Sequence, residues 1–156
     1  MTITSIVFNL PDLPFVQERL LRNATDLANS IRPFYGDQIA DQYEALLKEH
    51  LVLAAELVTA AVKGDSQKAE QKEREWYSNA DDISTFWSSI NPYLSKEDVQ
   101  KIFYLHLSLT KNEAVYMIQR NYNADVEVFD QIAKQASEMA DMFSNAIIMQ
   151  FPHMFQ

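Results

Sequence analysis

Apolar residues recur every three or four positions along most of the chain, the spacing that places them on one face of an α-helix. Beyond residue 36 this pattern runs through four long stretches: 37–63, 66–90, 95–121 and 124–150. The connections between the stretches are short, and short connections join antiparallel neighbours. The pattern therefore predicts an all-α fold in which residues 37–151 form an antiparallel up-and-down four-helix bundle.

Residues 1–35 predict additional short N-terminal helices that pack against the bundle. The first of these has one apolar face, made by Ile3, Ile6, Val7 and Leu10. One or two further helices are predicted over 15–31, and the break before the bundle is predicted at Pro33 to Gly36, with Asp37 as the cap of the next helix. At 156 residues, the chain 1–156 is predicted to be a single domain.

The inward-facing positions of the four long helices follow from the same spacing. They are predicted to be Tyr43, Leu46, Leu47, Leu53, Ala54, Leu57 and Ala61; Trp76, Ala80, Ile83, Phe86, Trp87 and Ile90; Val99, Ile102, Phe103, Leu109 and Met117; and Val128, Ile132, Ala136, Met139, Phe143 and Ala146. No internal repeat is evident in the order of the residues.

Local signals mark most of the helix ends. Gly64 suits the C-terminus of the first long helix, and Asp65 suits the N-cap of the second. Ser95 and Asp98 resemble a capping box with Asp in place of Glu. The turn around residues 121–123 contains neither glycine nor proline, so its position is the least defined.

The composition agrees with a helical protein and excludes several classes of function. Two glycines and no cysteine occur, which excludes glycine-rich phosphate loops, dinucleotide fingerprints, disulfides and thiolate chemistry. The formal net charge is -9, so neither nucleic acid nor an anionic membrane surface is an expected partner. No stretch is long and apolar enough to span a membrane. We expect a soluble, cytoplasmic protein, and a homo-oligomer remains open.

Two histidines lie near the centres of otherwise apolar helical stripes. His50 and His106 each fall inside the apolar arc of their helix, and Asn79 does so on the helix between them. In antiparallel helices, residues equally far from a turn lie at the same level. Counting through the turns predicts a polar layer of His50, Asn79, His106 and Met139, with Gln135 one turn away.

A second polar layer is predicted about two helical turns from the first. Glu113 lies seven residues after His106 on the same face, with Thr110 between them, and the counts bring Lys72 towards Glu113. Two turns separate Glu113 from His106 by about 10 Å, which is too far for both to bind one metal ion. We interpret Lys72 and Glu113 as a buried or half-buried ion pair.

Three readings of the histidine layer stay open. The first is a binding site for a divalent transition metal (Zn, Fe, Cu or Mn) or a small ligand, with Asn79 and Asp82 as neighbours of the histidines. The second is a non-catalytic structural or interaction protein whose histidines form a satisfied hydrogen-bond network. The third is a small hydrolase-like or redox enzyme with a bound ion. The ferritin-like di-iron pattern is excluded, because Leu47 and Phe103 stand where it needs glutamate.

Six strings of the sequence carry a family resemblance: Ser5 to Asp12, Arg19 to Asn23, Glu49 to Leu51, Trp76 to Asp81, His106 to Thr110 and Gln150 to Pro152. Over nearly its whole length the chain resembles an uncharacterised family of short all-α proteins from spore-forming Gram-positive bacteria. Members are often labelled acetylglutamate kinase. That activity is not expected here, because an amino-acid kinase needs an α/β sheet and glycine-rich phosphate loops.

The resemblance implies that His50, Asn79, Asp81, His106 and Thr110 belong to the family's motifs, and it implies no particular activity. It also implies that related sequences begin earlier, with a further histidine and a Trp-Thr-Arg string ahead of the position of Met1. On that basis the upstream histidine is a further candidate for the site.

Overall fold

The computed structural model describes residues 1–155, and these residues form six α-helices and no β-strand. The helices are α1 (Thr2–Val7), α2 (Leu13–Tyr35), α3 (Asp37–Val62), α4 (Ser66–Ile90), α5 (Lys96–Ile118) and α6 (Tyr122–Gln150), followed by a 3-10 turn at Pro152–Met154. The predicted all-α class is therefore confirmed. None of the helices within residues 1–155 is both long and apolar enough to cross a bilayer.

The chain divides into two compact units, Met1–Asn79 and Ala80 to the C-terminus. In the first unit, α2 and α3 fold back on each other about Gly36 and α1 packs on both. Three fully buried alanines, Ala24 and Ala28 on α2 and Ala40 on α3, let the helix backbones come close because their side chains are small. The core of this unit also contains Leu47, Leu53, Leu57, Val58 and Trp76.

The second unit contains the end of α4 together with α5 and α6, and α5 packs along α6. Its centre is aromatic. The ring of Trp87 lies 4.6 Å from that of Phe143, and Phe103 approaches Phe143 edge-on at 6.5 Å between ring centroids. Ile83, Val99 and Leu107 are fully buried in the same unit. Large rings and branched aliphatic side chains therefore fill this core.

The N-terminal region differs from the prediction. In place of one or two short helices and a break at Pro33, α2 is a single helix that continues through Pro33 to Tyr35. Pro33 lies in the last turn, where its missing N–H costs only one hydrogen bond, and Gly36 (φ 82°) ends the helix. Asp37 does not cap α3 with its side chain; it is the first helical residue and bonds to Arg32 at 2.8 Å.

Three helices end in the same hydrogen-bonded turn, the Schellman motif, which needs a residue in the left-handed conformation. These residues are Asn9 after α1, Gly64 after α3 and Arg120 after α5, with φ of 49°, 71° and 58°. After α5, for example, Arg120 N–H bonds to the carbonyl of Met117 and the next N–H bonds to that of Tyr116. Arginine carries no sequence signal for this conformation, which explains why α5 ends three residues and α6 begins two residues earlier than predicted.

Most inward-facing predictions are confirmed, and two are wrong. Ala61 and Ala136 are exposed. On α6 the buried stripe passes through Val128, Gln135 and Ala146, and this places Ala136 about 100° away from its centre. The predicted caps at Asp65 and Ser95 are confirmed, since each side chain accepts a hydrogen bond from the backbone N–H three residues later.

The left-handed Arg120 yields a stability prediction. Arg120→Gly is expected to raise the free energy of unfolding by about 0.5–1 kcal/mol, because glycine adopts this conformation without steric cost but loses more entropy on folding. Urea unfolding would measure the change. Arg120→Ala is the matched control, since it removes the same side chain and keeps the Cβ. An equal gain in both variants would contradict the explanation.

Candidate functional site

His50 lies on α3 with its side chain buried, and both of its ring nitrogens contact polar groups of α4. Nδ1 lies 2.8 Å from Oδ1 of Asn79, and the indole Nε1–H of Trp76 donates to Nε2 at 3.1 Å. The Trp76 and His50 rings are 5.4 Å apart, with an angle of 42° between their planes. The predicted contact of His50 with Asn79 is therefore present, and Trp76 is a partner that was predicted only as an inward-facing residue.

These partners define the protonation of the His50 ring. An indole N–H can only donate a hydrogen bond, so Nε2 must present its lone pair to Trp76. In the neutral ring the proton is then on Nδ1, which donates to the Asn79 carbonyl oxygen. Protonation of Nε2 would place two donors against each other. The surroundings of His50 therefore select one neutral tautomer.

Asn79 connects this ring to the backbone of α3. Its NH2 group donates to the carbonyl of Leu46 at 3.2 Å and to Oε2 of Glu49 at 3.2 Å, while its oxygen accepts from His50. The amide is only 3% exposed, and its donors and its acceptor all have partners. A buried amide satisfied in this way fixes the position of α4 along α3.

His106 makes a closely similar contact on α5. Its Nδ1 lies 2.8 Å from Oε1 of Gln135 on α6, and Gln135 Nε2–H donates to the carbonyl of Ile102 at 3.0 Å. Burial lowers the pKa of His106 by penalising the charged ring, and the hydrogen bond to Gln135 opposes this only in part. The half-buried Met139, which the counts placed opposite His106, lies one turn beyond Gln135.

The two histidine–amide pairs follow the same sequence spacing. In each pair the amide residue comes 29 positions after the histidine. Its NH2 group donates to the carbonyl 33 positions before it, which is four positions before the histidine. The pairs therefore repeat one geometry at a shift of 56 positions, the separation of His50 from His106.

The same shift relates residues 37–90 to residues 93–146 without a gap, so the α3–α4 and α5–α6 hairpins share one spacing. Gly64 and Arg120, the left-handed residues that end α3 and α5, occupy equivalent positions. So do the caps Asp65 and Asn121, which accept from the N–H groups of Lys68 and Ala124. This shared spacing was not predicted, because few residues are identical at equivalent positions; the His-Leu-x-Leu strings at 50–53 and 106–109 are the clearest match.

The two copies differ at the second ring nitrogen. The position of Trp76, three residues before the amide, is occupied by Ile132 in the second hairpin. Isoleucine has no donor to offer, and within residues 1–155 the Nε2 atom of His106 has no hydrogen-bond partner. The His106 ring is half-buried. His50 is thus closed by protein groups, whereas His106 presents a lone pair.

The other predicted site residues lie in separate surroundings. Asp82 is exposed, whereas its neighbour Asp81 accepts hydrogen bonds from Gln100 at 2.6 Å and from Tyr104 at 2.9 Å. Gln100 and Tyr104 were not predicted, although they lie one turn apart on α5, a spacing that brings two side chains to one partner. In residues 1–155 no group of three or more His, Asp or Glu side chains could hold a metal ion.

The residues predicted for the second polar layer have different surroundings. Lys72, for which we predicted an ion pair with Glu113, bonds to Glu75 at 2.8 Å and to Glu56 at 2.9 Å. Thr110 and Glu113 are half-buried on α5. Burial raises the pKa of Glu113, and the nearby carboxylate of Asp125 raises it further.

Comparison with known proteins gives no further identification. No protein family, curated protein or solved structure matches the chain. The resemblance carried by the six sequence strings stays a prediction.

The lowered pKa of His106 predicts a pH dependence of stability. Because the folded-state pKa lies below the 6.5 of a free histidine, the unfolded chain takes up this proton first as the pH falls. The neutral His106 ring therefore makes its full contribution to the free energy of unfolding above about pH 6.5. This contribution decreases as the pH falls below 6.5 towards the folded-state pKa.

Urea unfolding of the wild type and of His106→Gln between pH 8 and pH 5 would measure this effect. The difference between the two proteins isolates His106, since Glu113 and the other acids titrate in both. We expect the wild type to lose stability relative to the variant as the pH falls. A difference that stays constant or grows in the opposite direction would contradict the assignment.

Proposed function

We propose that this chain is a non-catalytic helical protein in which two histidine–amide pairs specify how its helical hairpins pack. The observation that carries the proposal is the commitment of both His50 nitrogens to Asn79 and Trp76. A ring in this state has no lone pair or proton to offer a substrate. The same pairing recurs at His106 and Gln135, as expected of a packing element rather than of a single catalytic centre.

Buried polar pairs of this kind act by making alternative packings costly. A helix that shifts by one residue or one turn would leave an imidazole and an amide without partners in an apolar core, at about 1–3 kcal/mol for each group. Replacing one partner alone has the same cost. The pairs therefore contribute more to the choice of one arrangement than to the net free energy of folding.

We also propose that α3–α6 form the antiparallel up-and-down four-helix bundle that the sequence pattern predicts. Two hairpins of matched length, each with a short connection and a buried stripe, support this arrangement.

A second candidate function rests on the lone pair of His106. A neutral imidazole whose other nitrogen is oriented by a hydrogen bond is the usual form of a metal-ligating or ligand-accepting histidine. Gln135 provides that orientation, and the lowered pKa of His106 keeps the ring neutral near pH 7. We propose that, if the chain binds a divalent transition metal or a small hydrogen-bond donor at a histidine, Nε2 of His106 is the contact atom.

A double-mutant cycle tests the packing role. His50→Leu and Asn79→Leu are each expected to lower the free energy of unfolding by about 1–3 kcal/mol, because each leaves the other group unsatisfied. The double variant is expected to cost less than the sum, with a coupling of about 0.5–3 kcal/mol. Urea unfolding would supply all four values.

The exposed pair Asn123–Glu127, joined by a hydrogen bond at 2.8 Å on α6, is the matched control. Its coupling is expected to be about 0.2–0.5 kcal/mol, as for surface pairs one turn apart. Additive losses at His50 and Asn79 would contradict the packing role.

The difference between the two hairpins predicts which histidine responds to metal. On addition of ZnCl2 to tag-free protein, the His106 ring signals in a proton–nitrogen NMR spectrum should shift and those of His50 should not. Ile132→Trp, which copies the indole of the first hairpin, should abolish the response of His106. Trp76→Ile should make His50 respond. Equal responses of both rings in the wild type, or none at His106, would contradict this second candidate.

A further inference from the structure

A groove in the first unit lies along α2 and α3 and reaches the start of α4. It has a volume of about 720 Å³, within the range of pockets that hold small organic molecules. Its apolar lining comes from Leu20 and Leu21 on α2 and from Leu51, Val52 and Ala55 on α3. Val52 is 45% exposed. Val52 lies beside three half-buried leucines and therefore exposes apolar surface that a ligand can cover.

The two ends of the groove differ, because both of its lysines lie at one end. Lys63, Asp65 and Lys68 belong to the turn that joins α3 to α4, whereas Leu51 lies further back along α3. From Leu51 to Lys63 the helix rises by about 18 Å. The lining therefore changes from apolar to charged along the length of α3.

At this end of the groove, Lys63 and Lys68 are both available to bind an anion. Among residues 1–155, neither Lys63 nor Lys68 has a side-chain hydrogen bond or ion pair. The carboxylates that share the groove are already engaged. Asp65 caps α4 by accepting from the backbone N–H of Lys68 at 3.1 Å, and Glu56 pairs with Lys72 at 2.9 Å. The local excess is thus positive, although the net charge of the chain is -9.

We propose that this groove binds a single-chain alkyl carboxylate, with the tail along Leu20, Leu51 and Val52 and the head group between Lys63 and Lys68. The apolar lining recovers the free energy of burying methylene groups, and the two ammonium groups supply charge-assisted hydrogen bonds to the carboxylate. Two lysines without partners distinguish an anionic head group from a neutral or cationic one.

This binding function goes beyond the packing role of the histidine pairs and does not depend on it. No lining residue belongs to the His50–Asn79–Trp76 contact. All the residues that line the groove belong to the first unit.

Isothermal titration calorimetry with three ligands of equal tail length tests the proposal: decanoate, decan-1-ol and decyltrimethylammonium, each below its micelle concentration. We expect one decanoate per chain, binding at least tenfold weaker for the alcohol, and the weakest binding for the cation. Octanoate, with two methylenes fewer, should bind roughly 15-fold more weakly than decanoate, because each methylene contributes about a factor of four. Added salt should lower the affinity for decanoate and leave the affinity for the alcohol unchanged.

Variants assign the binding to the groove. The double variant Lys63→Gln/Lys68→Gln is expected to lower the affinity for decanoate about tenfold and to leave the affinity for decan-1-ol unchanged. Lys96→Gln combined with Lys101→Gln is the matched control, since both lysines are exposed and distant in sequence from the groove. Ala55→Phe, which fills the apolar part, should abolish binding of both ligands, with Ala133→Phe on the exposed face of α6 as its control.

Several results would overturn the proposal. They are the absence of decanoate binding, equal affinity for the anionic and cationic ligands, and an unchanged affinity in the double lysine variant. Circular dichroism and urea unfolding of each variant show whether it is folded. If Ala55→Phe destabilises the chain, the exposed Val52→Glu supplies the second test, because a carboxylate in the apolar part should repel decanoate and spare the fold.

Discussion

A polar ring can be buried in an apolar core only if its nitrogens find partners there, and this constraint determines much of the present structure. His50 meets it with an amide acceptor on one side and an indole donor on the other. Asn79 in turn meets its own requirement through the Leu46 carbonyl and Glu49. Each hydrogen bond fixes the position of the group that makes the next one. The position of α4 along α3 therefore follows from hydrogen bonding as well as from apolar packing.

The same arrangement occurs in two helical hairpins, α3–α4 and α5–α6. The histidine, the amide, the helix-ending turn and the following cap are kept in both, while the residue that covers the outer ring nitrogen is not. Trp76 closes the first site and Ile132 leaves the second open. In the first unit, α2 also provides one wall of the groove that ends at Lys63 and Lys68. The two hairpins thus share one pattern of contacts and differ in the groups that they leave available to a ligand.

The sequence predicted the helices and one of the two polar pairs, and the reasons for success and failure are physical. Counting outward from Gly64 found the contact of His50 with Asn79, because a glycine marked the turn from which to count. The same counting placed Met139 instead of Gln135 opposite His106, because the second turn depends on Arg120 in a left-handed conformation that arginine does not announce. Placing that turn about two residues too late shifts the opposing residue by about four, which is one helical turn.

The spacing of apolar residues along the chain does not predict the orientation of individual side chains. The direction of an indole N–H and the convergence of Gln100 and Tyr104 on Asp81 are not encoded in a spacing of apolar residues. The groove was missed for a related reason: Leu20, Leu21 and Leu51 are half-buried, and a hydrophobic pattern distinguishes only inward from outward. The predicted break at Pro33 was wrong because proline disrupts the interior of a helix but is tolerated in its last turn, and here Gly36 ends the helix.

The central claim is that the protein surroundings hold His50 in one neutral tautomer. Long-range proton–nitrogen NMR of the histidine rings tests it directly, because a protonated and an unprotonated ring nitrogen have well separated chemical shifts. The account predicts that His50 shows Nδ1 protonated and Nε2 unprotonated at pH 7, with the Trp76 indole proton correlated to Nε2. A ring protonated on Nε2, or one that averages between the two tautomers, would contradict it.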